Sequence, residues 1–182
     1  MKRLCSIFLL LALALALSVT GADKPRVERK TLVAMEKSLN ERVARLWDDN
    51  PFLLLGPTRG IYLDGYGAVF TAEVNLVASP GITPFHLSFT KPEIDRHRTR
   101  KLERIPQLKS ALLEALAASA ASLDTVPPDE QIVIVAFLTR YPWEDATGMP
   151  TQLTVQAPKK KLLDAQRAGG ANLEAVVRVI EY

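Results

Sequence analysis

The segment Gly56–Val77 constrains this chain more than any other, because it concentrates four of the nine glycines and two of the four tyrosines. Ile61 and Leu63 share one side of an extended run, and Tyr62 and Asp64 share the other. Further on, Ala68, Phe70, Ala72, Val74 and Leu76 alternate with Val69, Thr71, Glu73, Asn75 and Val77. A period of two is what a strand with one buried face requires. Asp64-Gly65 lies between the runs and suits a two-residue hairpin turn, whose tight primed geometry needs positive φ. Gly67 is placed for a bulge beside that turn. The expectation is a hairpin with a glycine- and tyrosine-rich tip, and no catalytic motif.

The remaining elements follow from periodicity and breakers. Between Lys30 and Trp47 the residues Leu32, Met35, Leu39, Val43, Leu46 and Trp47 recur every three or four positions, the stripe of an amphipathic helix that ends before Pro51. Pro80, Gly81 and Pro84 mark an irregular connection, with an edge segment expected at Phe85–Phe89. A helix starts near Thr90 with Pro92 in its first turn, and Pro106 predicts either a kink or two successive helices. Ile132–Leu138 is an unbroken apolar run with the length of a strand covered on both faces. Tyr141–Pro150 reads as a loop, and Thr151–Ala157 alternates as a strand. Pro158 opens a short basic helix through Ala168, stopped by Gly169-Gly170, and Leu173–Ile180 reads as a valine-rich strand. The class is α+β: a mostly antiparallel sheet of about five strands with three or four helices packed on it.

Lys2 and Arg3, the sixteen-residue apolar run Leu4–Val19 and the small residues Thr20-Gly21-Ala22 have the layout of a secretory signal. The run is shorter than the roughly 18 residues of a membrane span. The expected organisation is a signal peptide over 1–22, a flexible leader over 23–30 and one α+β domain over 31–182, with membrane contact only through the signal segment if it stays uncleaved. Loss of Lys2 and Arg3 leaves 21 basic against 20 acidic residues, a net charge of +1 instead of +3. That balance removes the electrostatic case for a nucleic-acid partner. The only cysteine, Cys5, leaves with the signal, which excludes disulfides and thiolate chemistry from the mature chain. An exported, cysteine-free domain without an Asn-x-Ser/Thr sequon points to a bacterial periplasmic or secreted location.

Most chemistries find no support. There is no Gly-x-Ser-x-Gly elbow, and only His86 and His97 could serve a triad. Glu93 and His97, four apart, with Asp95 or His86, could be drawn as a metal site. His97 sits within Arg96-His97-Arg98-Thr99-Arg100-Lys101, however, where positive charge opposes a cation, so an exposed charged face is the plainer reading and no metal is expected. Arg96, Arg100 and Arg104 make an i, i+4, i+8 stripe that could meet an anion, diluted by Glu93, Asp95 and Glu103, and a solvated face is again the plainer reading, as it is for Lys159-Lys160-Lys161. Paired-carboxylate hydrolysis would draw on Asp64, Glu73, Glu144 or Asp145, with no spacing to support it. Gly65-Tyr66-Gly67 opens no helix, so phosphate and dinucleotide loops are absent and no cofactor is expected. The residues left for ligand binding are Arg59, Tyr62, Asp64, Tyr66, Tyr141 and Trp143, which offer aromatic faces and polar groups near turns; the competing reading has the aromatics sealing the core ends.

The block Asn50-Pro51-Phe52, the run Thr58–Phe70 and the downstream Tyr141-Pro142-Trp143-Glu144-Asp145 resemble a family of exported proteins of soil bacteria to which no activity is attached. The resemblance implies bacterial export and no catalytic residues. The resulting expectation is a non-enzymatic cell-envelope domain that binds an envelope protein or a glycan. Two other readings stay open: a carboxylate-dependent envelope hydrolase, and a self-associating structural protein in which a homodimer covers the apolar strand 132–138.

Overall fold

The computed structural model describes residues 27–47, 53–54, 57–79, 88–170 and 173–182. Along the chain these form α1 (Arg29–Ala44), β1 (Leu53–Leu54), β2 (Arg59–Leu63), β3 (Gly67–Asn75), α2 (Lys91–Ser122), β4 (Gln131–Leu138), β5 (Gln152–Pro158), α3 (Lys159–Arg167), α4 (Leu173–Val176) and β6 (Arg178–Glu181). The sheet runs β1-β3-β4-β5-β6, and β2 also pairs with β3. Since β4 occupies one side of β3, β1 and β2 share the other side in succession. The fold class is α+β, with antiparallel pairing throughout except between β3 and β4. That parallel pair needs a crossover, and α2 supplies it.

One face of the sheet and the helices make the core. Its register aligns Ala68, Ile132 and Ala157 in one row, Phe70, Ile134 and Val155 in the next, and Ala72, Ala136 and Leu153 in a third. Leu108, Leu112 and Leu116 of α2, Leu39 and Val43 of α1 and Leu162 of α3 belong to the same buried cluster. Each such leucine contributes about 1.5–3 kcal/mol through burial. Ala111, Ala115, Ala117 and Ala120 of α2 are buried as well. Lys159 closes the far end of α2: its ammonium donates to the carbonyls of Leu123, Asp124 and Val126 at 2.7, 3.1 and 2.8 Å, satisfying backbone acceptors where the helix stops.

Two glycines of the hairpin are dictated by contact. A side chain on Gly67, whose φ is +134°, would come within 1.9 Å of the Gln131 carbonyl oxygen on β4. A Cβ on Gly60 would strike the Phe70 ring, which lies across the strand pair at 2.6 Å. Gly60 also anchors α1: its amide donates to Glu36 Oε1 at 2.7 Å and its carbonyl accepts from Arg29 at 2.7 Å. Arg29 and Glu36 are themselves ion-paired at 2.7 Å. These bonds occupy the free backbone edge of β2, and Asn40 takes the Thr58 amide beside it.

Several details depart from the sequence expectation. The hairpin loop has three residues, Asp64–Tyr66, closed by the Leu63–Gly67 pair and by the Tyr66 amide on the Leu63 carbonyl. Pro106 does not divide α2, which is one helix of 32 residues. Pro106 and Leu102, whose carbonyl loses its partner to the proline, both lie on the exposed side, where that carbonyl is open to solvent. Leu173–Val176 is a helical turn, and the strand starts only at Arg178, because Leu173 and Val176 pack onto the core as a turn. Within the segment expected as a leader, Val27 is buried and Arg29 starts α1. Most of the edge segment expected at Phe85–Phe89 lies outside the described residues; Ser88 and Phe89 are not in a strand.

Among the described residues, helices cover the strand 132–138 on one face only. Ile132, Ile134, Ala136 and Leu138 face the helices; on the opposite side Val133 is buried among its neighbours, Val135 is half-buried and Phe137 is 45% exposed. Among the described residues, all helices that touch the sheet contribute to the one core on its inner face. Among the described residues the arrangement is therefore a two-layer sandwich, with helices on one sheet face and none on the other.

Candidate functional site

The candidate residues fall in three places, which follow from the strand register. Tyr62, Asp64 and Tyr66 sit at the hairpin tip, next to Gln131 at the start of β4. Tyr141 and Trp143 follow the end of β4, which at eight residues separates the two groups by about 25 Å. Arg59 lies between them on the helix-free face. No single pocket gathers Arg59, Asp64 and Trp143, and Asp64 and Asp145 stand at opposite ends of the sheet.

At the tip, the buried Glu130 holds the loop. Its Oε1 accepts from the Tyr62 hydroxyl and the Gly65 amide, both at 3.2 Å, and Tyr62 also reaches Asp64 at 3.4 Å. Tyr66 is exposed. Tyr62 thus fixes the hairpin to β4 and leaves little of its hydroxyl for a ligand.

At the other end, α2 outruns the sheet. Its 32 residues span about 48 Å, nearly twice the length of β4, so its first turns overhang the strand ends. The loop Thr139–Thr151 covers this overhang with polar groups. His97 Nε2 lies 3.0 Å from Glu144 Oε1, and Lys101 donates to Oε1 and Oε2 at 2.8 and 2.6 Å and to the Thr139 carbonyl at 3.0 Å. All three side chains are at most 7% exposed. Burial pushes the Lys101 ammonium below the usual lysine range, partly offset by its bond to Glu144. Burial alone would raise the Glu144 carboxyl, but the bonds from His97 and Lys101 and their charges outweigh it and hold its pKa below the ordinary value. Arg104, one turn further, donates to the Leu76 carbonyl at 3.0 Å and covers the Trp47 ring.

Aromatic rings close over this cluster. Trp143 stacks nearly parallel to Tyr141 at 5.9 Å, meets the His97 ring edge-on at 4.8 Å and packs on Phe89 at 4.1 Å. The Tyr141 hydroxyl accepts from the buried Asn75 amide at 2.8 Å. Both Glu144 oxygens are engaged and Lys101 makes three hydrogen bonds, so the pair clamps the loop onto α2. His97, Lys101 and Arg104 are thus buried, which corrects the reading of this run as a solvated face; Lys159 corrects it for the second basic run, whose Lys160 and Lys161 stay exposed. Glu93 turns back to accept from the Thr90 amide and hydroxyl, capping α2. Arg96 and Arg100 line an open hollow of about 400 Å³ with Glu93 and His97, a mixed-charge rim. No group of three or more metal-ligating side chains occurs among the described residues.

The third place is the helix-free face. Ile61 and Leu63 point outward, 54% and 44% exposed, while Tyr62 faces inward. Cross-strand rows continue them: Ile61, Val69 and Val133 in one, Arg59, Thr71 and Val135 in the next, then Glu73 beside Phe137. Arg59, Thr71, Glu73 and Phe137 border an open hollow of about 250 Å³. Neither the Arg59 nor the Glu73 side chain forms a hydrogen bond or ion pair among the described residues.

Comparison with family models, with curated proteins and with solved structures found no match. No helix among the described residues is long and apolar enough to cross a membrane.

Proposed function

We propose that the chain is an exported, non-enzymatic interaction domain of the bacterial cell envelope, and that its working surface is the helix-free face of the sheet. The observation that carries the reading is the outward exposure of Ile61, Leu63 and Phe137 on one continuous face, an apolar patch of the kind that marks a binding surface. The signal-like pattern of Lys2, Arg3 and Leu4–Val19 supports export. The bonds of Glu144, Lys101 and Tyr62 support a non-enzymatic role, because these groups hold the loop and the hairpin tip.

The test is photo-crosslinking in the envelope of an expressing bacterium, with a photoreactive side chain at position 137 and, as a control, at position 37 on the exposed side of α1. The expectation is processing of the chain in the periplasmic fraction and defined adducts from position 137 alone. Retention in the cytoplasm, or equal yields from both positions, would sink the proposal.

A further inference from the structure

We infer that the occupant of the helix-free face is a second copy of this chain, docked face to face across a two-fold axis; this rests on the interaction reading above and names its partner. Three observations lead there. First, Arg59 and Glu73 are exposed charges of opposite sign with no partner among the described residues, set diagonally on β2 and β3. A two-fold contact is self-complementary, so one such pair becomes two intermolecular pairs.

Second, the geometry closes. Strands lie about 4.8 Å apart with about 3.3 Å per residue. On that grid, an axis lying in the face that exchanges Arg59 with Glu73 crosses β4 close to Val135, the middle of the sheet. The same rotation lays Phe137 of one copy over Ile61 of the other, so the most exposed apolar side chains on the face cover each other. The strands then cross at a steep angle, near the orthogonal class of sheet packing.

Third, alternatives to face packing are restricted and the area suffices. On the β2 edge the amide and carbonyl of Gly60 are already bonded to Glu36 and Arg29, which opposes addition of a further strand there. Five strand positions by the length of β4 give a face of about 600 Å² before side-chain relief, close to the roughly 800 Å² that each partner of a standard interface contributes.

Sedimentation equilibrium of the full chain as expressed and purified tests this, with circular-dichroism melting to verify folding of each variant. The expected result is a reversible dimer, abolished by Phe137→Asp, weakened at least about tenfold by Arg59→Glu or by Glu73→Arg, and recovered to within about threefold by the two charge changes together. A monomer at every concentration to about 100 µM, or a double variant no tighter than the singles, overturns it. A second measurement does not depend on affinity. In a Cys5→Ser background, mixed Arg59→Cys and Glu73→Cys copies should be joined by a short bis-maleimide, and failure to join counts against the dimer. Adducts from position 137 carrying a different protein leave the interaction reading standing and overturn self-association. Absence of any adduct from that position removes both.

Discussion

Glu144 receives the Lys101 ammonium on both of its carboxylate oxygens, at 2.8 and 2.6 Å, in a place where neither side chain is more than 3% exposed. Such a pair is costly to split and cheap to replace. Removing one partner leaves the other charge buried, a loss of about 3–5 kcal/mol, whereas an apolar pair of similar volume is often neutral. Lys101→Met and Glu144→Leu should therefore each lower the urea midpoint severely, and the double variant should recover a large part of the loss. A double variant as unstable as the sum of the singles would deny the coupling.

The same carboxylate sets an acid limit. Glu144 binds its proton less readily in the folded chain than at its ordinary value of 4.5. Its contribution is therefore complete above that value and is lost as pH falls through the lower folded pKa. The stability difference between the wild-type chain and Glu144→Gln should be largest near neutrality and shrink on acidification. Urea titrations between about pH 7 and pH 3 measure it, and a difference that stays constant would contradict the linkage.

The amphipathic helix at 30–47, the alternating strands and the class were legible because period and breakers encode them directly. The parallel β3–β4 pair was not, since no local signal distinguishes a hairpin partner from a crossover partner. The clamp at Glu144 was half legible. His97, Lys101, Arg104, Leu108 and Leu112 follow one helical stripe that runs into the core leucines, but their charge makes the stripe look solvated until the loop that covers it is known. Alternation puts Ile61 and Leu63 on one side without saying which; they face outward because Gly60 and Tyr62 face α1 and Glu130. Leu173–Val176 shows packing overriding a local strand preference.

Gly67 has no tolerance for a side chain. Both its φ of +134° and the 1.9 Å approach to the Gln131 carbonyl oppose a Cβ. Gly67→Ala should cost more than the roughly 1 kcal/mol of an ordinary glycine exchange and separate β3 from β4 at their first pair. Gly65→Ala, where the added atom meets nothing within 4 Å, should lose less. Thermal melting of the two variants gives the order, and equal losses would mean that φ alone matters at both positions.

Lys159 puts one ammonium on three carbonyls at the end of α2. Lys159→Met keeps most of the volume and strands those acceptors, a loss of about 2–3 kcal/mol. Amide hydrogen exchange should rise first in the last turn of α2 and at the start of α3. A uniform rise across the sheet would place the lysine's role elsewhere.

Glu36 accepts the Gly60 amide while paired with Arg29, so one buried carboxylate ties α1 to the free edge of β2. Glu36→Ala removes an acceptor from a buried amide and an ion pair together, and about 2–4 kcal/mol should be lost. Exposure of that edge has a second consequence, because unpaired amides there invite another strand. The variant should aggregate on storage at concentrations where the wild-type chain stays clear. Glu36→Gln keeps an acceptor for Gly60 and should remain soluble, with a smaller loss of stability. Light scattering and melting of both variants separate edge protection from charge; if the glutamine variant aggregates as readily as the alanine one, the ion pair with Arg29 and not the capped amide is what guards the edge.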